Sequence, residues 1–267
     1  MATLRNTAHS NNIETAVAAT FADDDTLIID RSADSFNTNL SHEDINFTKV
    51  QFGAGWSGNI EETPFKFECV GSGRSIICES RSRRLKLGGG GSGVTDWTRL
   101  IVNMQGEVEV TDVQIIAGEV INGSLMVRDS VDLDSLRVDG GRAHVMESAA
   151  NPTVDTLAIN GGVCVLDRDV TDIDVRGGEL IIDHESVIPA TLDIDGGVVR
   201  VGLHGGTITA MVMRAGVLDL SKVSGPLTIS SATVGSKGVC RIIMPADDTL
   251  ITWTSFTKSG VGDPRQT

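Results

Sequence analysis

Apolar and polar positions alternate through the second half of this chain, and glycine interrupts the alternation at regular intervals. The pattern apolar-x-apolar-x-small-Gly-x-apolar occurs six times: Val113–Val120, Leu136–Ala143, Leu157–Cys164, Ile173–Leu180, Leu192–Val199 and Met211–Leu218. Its glycine falls at Gly118, Gly141, Gly162, Gly178, Gly197 and Gly216, giving steps of 23, 21, 16, 19 and 19 residues. Alternation such as Leu192, Ile194, Val199 and Val201 has the strand period of two, with one side chain inward and the next outward. The small-Gly pair supplies the positive φ of a sharp corner. A strand–corner–strand unit of about 20 residues cannot bury its apolar face alone, but stacked units form one continuous core. No strict hexapeptide repeat is present, and the uneven unit length fits a right-handed parallel β-helix with variable corners. The predicted class is all-β.

The first hundred residues follow a looser pattern. Thr26–Asp30, Ile45–Phe52, Pro64–Val70, Ser75–Cys78 and Arg81–Leu87 read as strands, Gly53–Gly58 as a loop and Gly88–Gly93 as a junction. The expected organisation is an N-terminal arm over 1–25, helical or extended, and a β-rich cap or base over 26–100. The solenoid follows over 101–250, then a closing segment and polar tail over 251–267.

Composition sharpens this division. The chain has 267 residues with 30 glycines and no tyrosine. No aromatic residue lies between Thr98 and Thr252, so the solenoid core is aliphatic while the cap is aromatic. Charge is equally uneven: residues 104–250 hold 22 acidic against 10 basic side chains, −12 of a total of −14. An acidic surface of this kind repels nucleic acid and favours solubility. The start has no apolar h-region, and no apolar run approaches the roughly 18 residues of a membrane helix. Cytoplasmic synthesis, with no membrane partner, is the expectation.

Motifs for chemistry are missing. Gly88–Gly93 lacks the Gly-Lys-Ser/Thr of a phosphate loop, and no GxSxG, HExxH or Cys-His spacing is present. Cys69, Cys78, Cys164 and Cys240 have no ligand spacing. Cys164 reads as a buried apolar residue, and Cys69 and Cys78 could face each other across a hairpin. The competing enzymatic reading is a polysaccharide-cleaving β-helix, which needs paired carboxylates on one face. Asp167, Asp169, Asp172 and Asp174, or Asp193 and Asp195, could supply them, although alternating acids also mark any solvated strand face. The expected catalytic, cofactor and metal residues are none.

Arg74, Arg81, Arg83, Arg84 and Lys86 form a basic stretch in an acidic chain. Internal ion pairing and docking onto an acidic partner are both open to it. Trp56, on a glycine-rich loop, is either an interface anchor or a plug for the solenoid end.

The segment Ala22–Ile60 (ADDDTLIIDRSADSFNTNLSHEDINFTKVQFGAGWSGNI) resembles virion proteins of tailed bacteriophages. The likeness lies in the DDDTLIID strand, the SHEDINFTKV strand and the GWSGNI loop, followed by a basic strand, a glycine-rich junction and Gly-Gly coils. Glu61 stands where the pattern would have another glycine. The resemblance implies a non-enzymatic component of the particle, most like a head decoration (cement) protein. Such a protein sits on the virion surface, bound to the major capsid protein at subunit junctions as a homotrimer. A tail spike or fibre is the structural alternative. On this reading Phe21, Trp56, Arg81, Arg83, Arg84 and Lys86 are the candidate capsid contacts, with the N-terminal third toward the capsid and the acidic repeats outward.

Overall fold

The computed structural model describes residues 3–6, 22–30, 41–89, 97–128, 131–147, 154–182, 189–202, 205–235 and 238–259. It is a parallel β-solenoid of about 9 turns, and it divides between Ser135 and Leu136 into two compact units. The expected parallel β-helix is what the chain forms.

In the first unit the strands are β1 (Thr3–Asn6), β2 (Thr26–Ile29), β3 (Ser41–Asn46), β4 (Lys49–Phe52), β5 (Ile60–Glu68), β6 (Ser75–Cys78), β7 (Arg84–Gly88), β8 (Trp97–Thr111) and β9 (Gln114–Val127). Two parallel ladders run through it. One stacks β1, β2, β4, β6 and the first halves of β8 and β9, with Leu27, Val50, Ile76 and Leu100 in register. The other stacks β3, β5, β7 and the second halves of β8 and β9, with Leu85, Val108 and Leu125 in register. The described strands within residues 26–100, read from sequence as a cap or base apart from the solenoid, are therefore parallel coils as well. Their core is what differs. Phe67 packs on Trp97 in a stacked pair 5.2 Å between ring centroids, and Phe52 on Trp56 at 5.4 Å. The Trp97 indole N–H donates to the Phe67 carbonyl at 3.0 Å, which satisfies the polar atom of a fully buried ring.

In the second unit the strands are β10 (Asp132–Val138, which begins before the division), β11 (Arg142–Val145), β12 (Val154–Ile159), β13 (Val163–Leu166), β14 (Val170–Val175), β15 (Glu179–Ile182), β16 (Thr191–Ile194), β17 (Val198–Val201), β18 (Gly206–Met213), β19 (Gly216–Asp219), β20 (Leu227–Val234), β21 (Cys240–Ile243), β22 (Ile251–Trp253) and β23 (Phe256–Lys258). The even-numbered strands from β12 to β20 form one ladder, which β22 and β23 both close, and the odd-numbered strands from β11 to β21 form the other. Inward positions repeat coil by coil. Leu157, Ile173, Leu192 and Met211 share one register column, and Ala143, Cys164, Leu180, Val199 and Leu218 share another. All of these are at most 2% exposed, so the aliphatic alternation is spent on burial.

The two ladders meet at the glycine corners. Gly141, Gly162, Gly178 and Gly197 have φ between 65° and 70°, and Gly216 has 102°. Gly178 shows why nothing else fits: a Cβ there would lie 2.5 Å from the Gly162 carbonyl oxygen of the preceding coil. The carbonyl of each corner glycine accepts the backbone N–H of the next coil, as Gly162 does from Glu179 at 2.9 Å and Gly178 from Val198 at 3.0 Å. The corners therefore stack as the sequence predicts. Gly118 is the exception, since it pairs with Leu100 inside strand β9 and has no positive φ. The positive-φ glycine of that strand is Gly123, five residues on.

Candidate interface site

The basic stretch runs from Arg74, just before β6, to Lys86 in β7, and its Arg81 backbone bonds the Trp56 loop of the preceding coil. Within it the arginines have separate fates. Strand alternation turns Arg84 and Lys86 outward while Leu85 and Leu87 enter the core. Register places Lys86 beside Glu109 and Arg84 beside Glu107, one coil on. The Arg84 Nη2 group bonds Glu109 Oε2, and the Arg128 Nε group donates to Glu109 Oε1 at 3.0 Å. Lys86 Nζ stands 3.9 Å from the same oxygen. Glu109 is only 3% exposed, so three cations enclose one buried carboxylate. Burial pushes the Glu109 carboxyl up, but the hydrogen bonds and charges of Arg128 and Arg84 outweigh it and hold its pKa below the ordinary value. These residues form a structural clamp across three coils.

Arg74 is also engaged within the fold. Its Nη1 group donates to the carbonyls of Asn46 and Phe47 at 2.6 and 3.1 Å, and its Nη2 group bonds Asp24. Arg81 and Arg83 differ. Both are exposed, and neither side chain makes an ion pair with another described residue. Their backbones are fixed, because the Arg81 N–H donates to the Trp56 carbonyl at 2.8 Å and the Arg83 N–H to Asn59 Oδ1 at 2.8 Å. A backbone-anchored turn thus presents two guanidinium groups that make no ion pair among the described residues.

Trp56 has no exposed surface and packs on Phe52, which is the position of a core plug. Phe47 and Phe52 are equally buried. Phe21 lies outside the described residues, as does most of the glycine-rich junction. The Glu109 clamp went unseen in the sequence, although a signal existed: Arg84, Glu109 and Arg128 are separated by 25 and 19 residues, each close to one coil.

The acids considered for catalysis lie on the outward side of the second unit. Asp174 and Asp193 are register neighbours. Arg176 bonds Asp174, Arg214 bonds Asp195 at 2.6 Å, and His144 Nε2 lies 2.6 Å from Asp167 Oδ2. Asp172 accepts from the Thr191 hydroxyl. Among the described residues, no group of three or more His, Cys, Asp or Glu side chains could hold a metal ion. No helix there is long and apolar enough to cross a membrane. All four cysteines are free and buried, so Cys69 and Cys78 do not pair. Cys78 stands in the inward column below Phe52, while Cys69 bridges to Trp97. Burial pushes the Cys69 and Cys164 thiols up to about 12, which makes both poor nucleophiles.

No family model, curated protein or solved structure matches this chain.

Proposed function

We propose that this chain is a non-enzymatic structural protein of a tailed-bacteriophage particle, attached as a homotrimer to the outside of the capsid at subunit junctions. The observation that carries the reading is the Arg81–Arg83 turn. In an acidic chain whose other clustered cations are consumed by Glu109 and Asp24, two solvent-exposed guanidinium groups on a backbone-anchored turn suit an acidic protein surface. The phage-like motif residues support it, since Leu27, Ile29, Val50, Phe52 and Trp56 build the first coils that hold this turn. Of the six candidate contacts, Arg81 and Arg83 remain the proposed capsid-facing pair. Arg84 and Lys86 serve them by fixing β7.

The test is binding of purified chain to capsids lacking it. Arg81→Glu with Arg83→Glu is expected to weaken binding by tenfold or more at low ionic strength and by less as salt screens the contact. Unchanged binding at low salt would remove the pair from the interface.

A further inference from the structure

The odd-numbered ladder of the second unit has an outward face made of two register columns. The first reads Arg142, Val163, Glu179, Val198, Val217, Arg241 from coil to coil, and the second His144, Val165, Ile181, Arg200, Asp219, Ile243. Half of these solvent-side positions are aliphatic, and all six aliphatic side chains are half-buried. The other ladder is more polar: its outward columns read Thr156, Asp172, Thr191, Ala210, Ser231 in one and Ala158, Asp174, Asp193, Val212, Thr233 in the other. An aliphatic face on one side of an acidic chain needs a cover.

We infer that this face is covered by the same face of a second copy of the chain, with the solenoid axes parallel and the coils level. The charges on the face select that occupant and that orientation. Rotation about an axis parallel to the solenoid opposes the strand directions, so the first column of one copy meets the second column of the next. The same meeting arises around a twofold or a threefold axis. Val163 then faces Val165 of the neighbour. Glu179 faces Ile181 with Arg200 one coil above, and Arg241 faces Ile243 with Asp219 one coil below. One coil is about 4.8 Å, within reach of each side chain, so every acid gains an opposite charge across the contact and none meets another acid. At the first coil Arg142 meets His144, which Asp167 of the same chain accompanies at 2.6 Å; reversing one axis about the middle of the face would instead set Arg142 against Arg241.

The Glu179 carboxylate is part-exposed: its Oε1 atom is enclosed within its own chain, 2.9 Å from Arg200 Nη1, while the side chain as a whole is 27% exposed, which leaves room for a second cation from the neighbouring copy.

The inference gives the proposed homotrimer its contact surface, and its test is separate from capsid binding. Sedimentation of the intact chain is expected to show an oligomer, and Val163→Asp with Val198→Asp to reduce it to the 28.2 kDa monomer. Both substitutions lie on the solvent side but flank Glu179 in its column, so far-UV circular dichroism is recorded to establish that the variant is folded. Cross-linking supplies a second measurement that does not depend on that variant folding. Val163→Cys with Val165→Cys should oxidise to a covalent oligomer, whereas either single cysteine should not, because neither column meets itself. A wild-type monomer at every concentration, a folded aspartate variant that stays oligomeric, or single cysteines that cross-link as well as the pair would each overturn the inference. An oligomer held by this face that fails to bind capsids would leave the inference standing and end the capsid reading.

Discussion

Gly178 is held by two constraints that substitution can separate. Its φ of 70° is in the left-handed region, and a Cβ would press on the backbone of the preceding coil. Gly73 has φ 79° but nothing within 4 Å of a Cβ, so it carries the first constraint alone. Gly73→Ala is expected to cost about 1–2 kcal/mol for the backbone conformation. Gly178→Ala should cost that plus roughly 1–3 kcal/mol of overpacking, since the obstructing atoms are backbone and cannot rotate away. Urea unfolding of the two variants checks the difference, and equal losses would show that the coils relax around the added methyl group.

Between strands, the Glu109 clamp links β7, β8 and the residue after β9 through one carboxylate. The folded-state pKa of Glu109 lies below the 4.5 of the free group, so folding favours the ionised form. Its contribution is complete above about pH 4.5 and is lost as pH falls through the lower folded value. Glu109→Gln is expected to cost about 1–3 kcal/mol near neutrality, toward the low end because Arg84 and Arg128 are 39% and 33% exposed. The variant should also lose stability less steeply than wild type below about pH 4.5, which unfolding curves at several pH values would measure. Parallel slopes would mean that other carboxylates govern the acid response. The corners of the second unit were legible in the sequence because a positive φ admits little but glycine, and Gly-Gly recurs at Gly162, Gly178 and Gly197. Gly118 was misread because a small-Gly pair inside a long strand has the same local pattern as a corner. The coils of residues 26–88 were less legible, since their spacing varies and their corners lack a Gly-Gly signature. The Glu109 clamp was hidden for a different reason: its members meet only through coil-to-coil register, which no local window contains.

At the scale of a whole solenoid unit, each coil touches only the coils before and after it, so damage should stay local. In Gly178→Ala, backbone amide exchange is expected to quicken in β13 through β17 while β20 keeps its protection. Uniform loss across the second unit would show that its coils open together. The exact stacking that gives this locality also makes one coil the natural unit of inheritance. Gly178 to Gly197 and Gly197 to Gly216 are both 19-residue steps, so a gene that lost or duplicated 19 codons here would still bring corner onto corner and inward column onto inward column. Length can change by whole turns without a new fold. What would change is the outer surface: deletion of residues 178–196 would seat Asp174 beside Val212 instead of Asp193, rewriting the contacts the molecule offers while its core stays the same.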